Sequence, residues 1–554
     1  MKRFITPLLS ILGGLLLAFA WYPHGLPFLI FFAWIPLFFM SDALLEKNGR
    51  AQFVKGWLYS WAGFMLWNFI TTYWIGYCTV PGAIGAIVAN SMLQAWVFGF
   101  WHCCRKHVRQ EWVHPILLIA FWISFEYLHL NWDLTWPWLN LGNVFAVCPQ
   151  WVQWYAITGA AGGTLWVLLL NFLLYYLIRH ISRNHRVSWG LVAAGALVFV
   201  IPVIISGVIY QGAKRAIDQS TPVDVVAVQQ NTDPWEEEYE LTNEQQIRRL
   251  IDVATPHIDE RTALVVCPES SVPHNLSLLM LQTHNFPTEN KAYSGFTLLD
   301  SVISMHPNLN FILGMSLFSL YDHPASVTAR SVGGGMFVDV FNSALCYGKN
   351  HYNGHYHKCR LVPGVEKMPF PKMLGFLGDA FIKLGGSNTS LGVDSAQHTF
   401  AIQSSGRDLR VGTAICYESI YGELFGQFVR NGANLMTVIT NDSWWADSQG
   451  HKQHFEMSRL RAVETRRYVV RAANGGFSGI IDPCGNVLQK TNYDERTALK
   501  ATVFAQKGET FYVRHGDYIA RIAVAIALLG FLFALGCWCK QKAQSSQKKM
   551  KTEN

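Results

Sequence analysis

The sequence predicts two joined parts: an α-helical membrane bundle of about eight transmembrane helices, and an α/β domain inserted between the seventh and eighth. Three observations carry this. Charged residues make up only 15% of the chain and hydrophobic ones 51%, against about 25% charged in ordinary soluble domains. Long apolar runs crowd the stretch before residue 211 and recur once near the C-terminus. Between them lies a segment of soluble texture, in which short apolar strands mix with helical stretches.

The first seven apolar runs cover residues 5–21, 26–40, 56–77, 83–101, 115–127, 151–178 and 189–210, and the eighth covers 518–538. A spanning helix needs about 20 residues, so the shorter runs draw on their flanks. No small-residue cleavage site follows the first run, and WYPHG (21–25) leads straight into the second. It therefore reads as a retained helix and not as a secretory signal.

The basic residues sort by loop. Lys2 and Arg3 precede span one. Lys47, Arg50 and Lys55 lie between spans two and three, Arg105, Lys106 and Arg109 between four and five, and Arg179, Arg183 and Arg186 between six and seven. Lys540, Lys542, Lys548, Lys549 and Lys551 follow span eight, whereas the short loops after spans one, three and five hold no Lys or Arg. Positive loops stay cytoplasmic. The expected organisation is a seven-helix domain (1–210), an extracytoplasmic catalytic domain (211–517), a C-terminal span (518–540) and a basic cytoplasmic tail (541–554) that is read as disordered. The net charge of +7 is thereby a topology signal. No basic stripe with interleaved aromatics points to nucleic acid.

The outer segment carries seven strand-like runs in order: VDVVAVQQ, TALVVCPES, NFILGMSLF, NSALCYG, RVGTAICYE, ANLMTVITN and FSGIIDP. Helix-like sequence follows the first (EEEYELTNEQQIRRLIDVATPHI) and the sixth (HKQHFEMSRLRAVETRRYVV). DPCGN (482–486) reads as a turn. Gly333, Gly334 and Gly335 lack the Lys-Ser/Thr of a phosphate loop and read as a turn as well. Residues 274–307 are irregular and polar, and read as a surface loop region.

Three strand ends carry reactive groups. TALVVCPES ends at Glu269, Lys358 follows NSALCYG in HYNGHYHKCRLVP, and VGTAIC ends at Cys416. A carboxylate that takes a thiol proton, a thiolate that attacks a carbonyl, and an ammonium that holds the oxyanion suffice for acyl transfer through a thioester. Taken singly, the same residues read as a solvated acid, a loop lysine and a small buried hydrophobe. Spacing alone does not bring them together.

CPES around Glu269, YHKCRLVP around Lys358 and AICYES around Cys416 resemble, in order and spacing, the carbon–nitrogen hydrolase (nitrilase) superfamily. The membrane layout, with WPWLNLGN (136–143) and NDSWW (441–445) followed by QHFEMSRLRAVE, is similar to the apolipoprotein N-acyltransferase family. The resemblance covers nearly the whole chain. It implies an αββα sandwich with a Glu269–Lys358–Cys416 triad and a two-step reaction. Cys416 takes an acyl chain from a membrane phospholipid, then passes it to the α-amino group of the N-terminal diacylglyceryl-cysteine of an apolipoprotein. Glu269 is the implied base and Lys358 the oxyanion donor. The resemblance also marks Glu366, Glu418, Trp235, Asn441, Trp444 and Trp138 as supporting or substrate-binding positions. Read from sequence alone, Glu418 is either a holder of the site or a solvated acid at a helix start, and tryptophans near a bilayer are common without catalytic roles. The implied setting is a monomer in the bacterial inner membrane, with its catalytic domain on the periplasmic face and no cofactor.

The sequence departs from the family at two places. The family's Val-Pro-Phe-Gly-Glu is here Val362-Pro363-Gly364-Val365-Glu366, and Trp445 is followed by Ala446 where Phe-Gly is usual. Eleven cysteines leave disulfides open in an outward domain, and Cys267 and Cys359 adjoin the triad; only Cys416 has the AICYE context. His351, His355 and His357 crowd one stretch without an acidic or cysteine partner at firm spacing, so no metal is expected. Two rival functions remain: a membrane-tethered nitrilase-type amidase that hydrolyses a small amide with the same triad and water as the acceptor, and a non-catalytic membrane scaffold with a degenerate domain.

Overall fold

The computed structural model describes residues 5–21, 23, 25–46, 51–217, 221–286, 291–374, 390–404 and 407–553. Lys2, Arg3, Lys47 and Arg50, four of the charges used for topology, lie outside the described residues.

Seven helices build the first part: α1 (Ile5–Ala20), α2 (Ile35–Leu45), α3 (Ala51–Thr72), α4 (Val80–His107), α5 (Val113–Asn131), α6 (Tyr155–Asn184) and α7 (Trp189–Ile217). Among the described residues, six helical stretches are long and apolar enough to cross a membrane: Pro27–Leu45, α4, α5, α6, α7 and Tyr518–Gln547. Of the other two expected spans, α1 is a shorter apolar helix of 16 residues and α3 is a helix of 22 residues. The second expected run is broken: a 3-10 turn, Pro27–Phe31, precedes α2, which has a proline in its first turn. A break inside hydrocarbon needs its backbone groups satisfied. Asn171 of α6 does this, accepting from Trp34 N at 3.0 Å and donating to Ile30 O at 2.8 Å. Helices α1 and α3 cross on glycines, where a Cβ on Gly14 would lie 2.3 Å from Gly63 O; such contacts are open only to small residues.

The second part holds fourteen strands among the described residues: β1 (Thr221–Gln229), β2 (Thr262–Val266), β3 (Val272–Ser277), β4 (Asn310–Tyr321), β5 (Arg330–Gly333), β6 (Met336–Gly348), β7 (His351–His357), β8 (Thr399–Ser404), β9 (Arg407–Ile415), β10 (Leu435–Thr440), β11 (Val469–Ala473), β12 (Gly479–Ile481), β13 (Val487–Lys490) and β14 (Thr497–Ala505). Its helices are α8 (Asn243–Ala254), α9 (Leu278–Thr283), α10 (Ser294–Met305), α11 (Pro371–Leu374), α12 (Gly422–Arg430), α13 (Gln449–Thr465) and α14 (Phe511–His515), and α15 (Tyr518–Glu553) follows.

The strands form two sheets. One runs β14-β1-β2-β4-β6-β5, with β3 on β4 and β7 on β6; the other runs β13-β12-β11-β10-β9-β8. Period-two alternation decides which residues face the partner sheet. In β1, Val225 and Ala227 join a cluster with Val411, Ala414 and Val438 of the second sheet. Their neighbours Val226 and Val228 instead meet Leu250 of α8 and Phe296 and Leu299 of α10. Helices α12 and α13 cover the second sheet, and α13 also packs on α6, so the layers run helix, sheet, sheet, helix and then bundle. Strands β1, β2 and β4 are parallel neighbours, as are β9, β10 and β11. Parallel pairing puts their C-terminal ends, and the residues after them, at one edge of each sheet.

Five readings of the sequence differ from the structure. Residues 274–307 are not a loop: β3, α9 and α10 occupy most of the range, because Phe296, Leu299, Val302 and Ile303 recur at helical spacing and are buried. HYNGHYH is a strand, β7, paired antiparallel with β6. The YVV after α13 leads into strand β11. The basic tail after Cys539 continues α15 as helix to Glu553; a formed span is already a nucleus, and extending it costs little for Ala, Gln and Lys. Helix α7 also carries the boundary expected at 210 on to Ile217.

Candidate active site

Glu269 follows β2, Lys358 follows β7, Cys416 follows β9 and Asn441 follows β10, so the sheet edges deliver all four to one region. Lys358 is 1% exposed. Its Nζ donates to Glu269 Oε1 at 3.1 Å and Glu366 Oε1 at 2.8 Å. Asn342 of β6 bridges the same two oxygens from its Nδ2, at 2.8 and 2.9 Å. Glu269 Oε2 accepts the Asn441 backbone N–H at 3.0 Å, and Glu366 Oε2 accepts that of Val362 at 2.8 Å. The Gly364-Val365 departure therefore leaves Glu366 seated on Lys358.

Cys416 takes a left-handed backbone, φ 51, which a residue with a side chain adopts only when its surroundings compel it. Burial pushes its thiol well above the usual range; the negative charge of Glu269 adds to this and the positive charge of Lys358 opposes it. The resting group is thus a thiol that needs a base. For Lys358, burial would lower the ammonium, but the charges of Glu269 and Glu366 outweigh it and hold the group well above its ordinary value. It stays a cation beside the thiol.

Glu418 is fully buried, which removes the solvated-acid alternative. Its Oε1 accepts from Tyr356 OH (2.7 Å), Cys359 N (2.6 Å) and Arg360 N (3.2 Å), and its Oε2 from Ile415 N (2.9 Å). One carboxyl thus ties the chain around Lys358 to the chain around Cys416. Behind Cys416, its carbonyl accepts from Ser419 Oγ at 2.7 Å and lies 3.2 Å from His454 Nε2. His454 Nδ1 faces Asp442 Oδ1 at 2.9 Å, and Arg471 Nη2 donates to Asp442 Oδ2 at 2.6 Å. Burial would raise the Asp442 carboxyl, but His454 and Arg471 hold it well below the usual range.

The tryptophans divide. Trp235, exposed, and half-buried Trp444 meet edge to face with centroids 4.9 Å apart; Asp233, Glu237, Ser443 and Tyr493 line the same pocket. Trp138 is buried elsewhere: its Nε1 donates to Gln453 Oε1 of α13 at 2.6 Å, and its ring meets Trp74, Trp136, Trp445 and His454. This aromatic layer joins the bundle to the back of the Cys416 turn. The carboxylate of Glu126 in α5 holds the segment in place, accepting from Leu141 N at 2.7 Å.

Sequence reasoning passed over Asn342, Glu238 and the Asp442–His454–Arg471 group. Glu238 Oε2 accepts from Asn441 Nδ2 at 2.8 Å; burial, then the charge of Glu269, pushes its carboxyl up to about 7. The DPWEE motif pointed to its neighbours, and NDSWW contained Asp442, but no local pattern marks Asn342. All eleven cysteines are free thiols. Cys267 faces the helix side of its sheet, and Cys359 Sγ donates to Asp394 O at 3.2 Å.

Residues 225–510 match the carbon-nitrogen hydrolase family, and residues 13–173 match the apolipoprotein N-acyltransferase N-terminal domain. Among known proteins, the chain is 28% identical over 533 residues to an apolipoprotein N-acyltransferase of Chlorobaculum tepidum. It is 27% identical over 542 residues to one from Geobacter metallireducens, with 95% of both chains covered in each comparison. A third, from Thermotoga maritima, is 25% identical over 95% of this chain and 93% of the relative.

Proposed function

This chain belongs to the carbon–nitrogen hydrolase family, and from that premise we propose that it is a multi-pass membrane N-acyltransferase. It moves an acyl chain from a phospholipid, through a thioester on Cys416, to the α-amino group of a diacylglyceryl-modified N-terminal cysteine of an apolipoprotein. The observation that carries the chemistry is the Lys358 ammonium, buried between Glu269 and Glu366 and charge-coupled to the Cys416 thiol.

In the first half-reaction Glu269 takes the thiol proton and the thiolate attacks the ester carbonyl. Lys358 Nζ donates to the oxyanion. The tetrahedral intermediate collapses, the alkoxide of the lysophospholipid leaves, and protonated Glu269 returns the proton to it. In the second half the neutral amine attacks the thioester carbonyl and Glu269 takes the amine proton. The C–S bond breaks and the proton returns to the thiolate, which regenerates the enzyme. Glu418 and Asn342 position the three groups. Trp235 and Trp444 supply an apolar contact at the mouth of the site, and Trp138 braces it from the bundle side.

The same reading puts the chain in the inner membrane as a monomer. Its catalytic domain (211–517) faces the periplasm between a seven-helix domain (1–210) and the last span (518–540), and residues 541–554 are cytoplasmic. The N-terminal domain match and relatives of full length favour transfer over the amidase or scaffold alternatives.

The test is mass spectrometry of purified protein mixed with phospholipid alone. A ping-pong route acylates Cys416 without any amine, and hydroxylamine releases the adduct. Cys416→Ser loses turnover, since a serine hydroxyl is far less acidic than a thiol. An acyl adduct that forms only when acceptor peptide is present overturns the thioester route, and failure to release a lysophospholipid favours the amidase.

A further inference from the structure

The three histidines of HYNGHYH part company in the fold. His357 Nδ1 pairs with Ser343 Oγ at 2.7 Å and His355 Nδ1 with Tyr352 OH at 2.5 Å. His351 begins β7 at the tight turn from β6 and finds two partners that sequence spacing could not reveal. Its Nδ1 lies 3.1 Å from Asp300 Oδ1 on α10. His284, which ends α9, places Nε2 3.8 Å from Asp300 Oδ2. One ligand atom from each of the three lies within 4.8 Å of the others.

We propose that His284, His351 and Asp300 form a binding site for one divalent transition-metal ion of the zinc type, which pins α9, α10 and the β6–β7 turn together. Two imidazole nitrogens and one carboxylate oxygen are the donor set such ions favour, with water in the open position. Ligand lengths near 2.1 Å in a tetrahedral site separate donor atoms by roughly 3.4 Å; His351 Nδ1 lies 3.1 Å from Asp300 Oδ1, and His284 Nε2 lies 3.8 Å from Oδ2, the other oxygen of the same carboxylate. The two imidazole rings stack at 3.6 Å, 13° from parallel. To ligate one ion through both nitrogens, the rings turn out of this stack about their soft χ2 torsions.

Hydrogen bonding alone leaves the cluster incomplete. Asp300 Oδ1 is used twice, by His351 and by Tyr347 OH at 2.7 Å. The Asp300 Oδ2 to His284 gap is too long for a hydrogen bond. His284 Nδ1 is buried without a hydrogen-bond partner among the described residues. Both histidines also hold left-handed backbones, φ 50 and 61, His284 as the C-cap of α9. Tyr347 acts as the outer partner that orients a ligating carboxylate. The three side chains are 30–42% exposed, so an ion can enter from water. Strand β7 has seven residues, which sets Lys358 about 20 Å from His351. The ion therefore stabilises the domain and takes no part in acyl transfer.

The experiment uses full-length protein in detergent, stripped with EDTA and titrated with Co²⁺ and then Zn²⁺. One equivalent of Co²⁺ develops visible ligand-field bands, Zn²⁺ bleaches them, and Zn²⁺ raises the unfolding temperature. His284→Ala and His351→Ala abolish the bands. Tyr347→Phe weakens binding about 10–100-fold, and His355→Ala leaves it unchanged. Absence of saturable binding, or equal affinity in the His284→Ala/His351→Ala double variant, overturns the site. Should the double variant fail to fold, half-exposed His351→Ala decides the matter alone.

Discussion

At the scale of single residues, Lys358 is held by distance as much as by charge. Its ammonium is buried between two carboxylate oxygens at 3.1 and 2.8 Å. A planar guanidinium cannot occupy that point and also reach the oxyanion. Lys358→Arg is therefore nearly as damaging as Lys358→Ala, each lowering kcat by roughly 10²–10³, the typical loss for one oxyanion donor. Turnover near wild type in the arginine variant would reduce Lys358 to a source of general positive charge. Glu238 gives a second prediction, through pH. Its folded carboxyl is pushed up to about 7, above the roughly 4.3 of a free glutamate, so between those values the folded state binds more protons than the unfolded one. Its contribution to stability is then present at low pH and is lost as pH rises through that window. Glu238→Gln keeps an oxygen for Asn441 and removes the titration. The variant gains unfolding temperature relative to wild type at pH 8 and not at pH 4; an equal shift at both values would mean that Glu238 does not titrate there. Glu269, Lys358, Cys416 and Glu418 were singled out in sequence because short motifs surround them. Glu238 and Asn342 were not, because their meaning lies in what folds against them: Asn441 from the opposite sheet for one, and two carboxylates from separate loops for the other.

At the scale of elements, the strands written as unbroken apolar runs were readable, and those carrying polar residues were not. ANLMTVITN is buried along the whole of β10, whereas HYNGHYH lies on β6 with its first five residues half exposed, and its polar texture concealed a strand. The helices of 274–307 were obscured because α9 and α10 are short and Thr297, Asp300 and Ser301 separate the apolar positions of α10. One strand passes the site at a distance that fixes a residue type. A Cβ on Gly314 of β4 would lie 2.2 Å from Pro268 O and 2.6 Å from Glu269 Cα. Gly314→Ala must push the Glu269 backbone away, and with it the carboxylate that Lys358, Asn342 and Asn441 hold. We expect at least a tenfold fall in kcat with a modest loss of stability, since displacements near 1 Å at reacting groups cost about 10² in rate. Unchanged kinetics would indicate that β4 yields instead, leaving Glu269 in place.

At the scale of the whole molecule, the bundle and the sandwich share one continuous core. Trp74, Trp136, Trp138 and Trp445 pack between α13 and the membrane helices, directly behind the Cys416 turn, so the turn that carries the thiol rests on the bundle. That placement is useful only if the domain faces the compartment where the acceptor waits. The Lys/Arg loops predict which side this is, with Arg105 and Lys106 at the end of α4 and Arg179 and Arg183 near the end of α6, against arginine- and lysine-free loops at the other ends of those two helices. Helix α7 reaches Ile217 before β1 begins, so the point where the chain leaves the bundle is sharply defined. A reporter active only in the cytoplasm, fused after Ile217, should be silent, and the same reporter fused after Arg186 should be active. Activity at Ile217 would turn the sandwich toward the cytoplasm. It would also overturn the proposed lipoprotein acceptor.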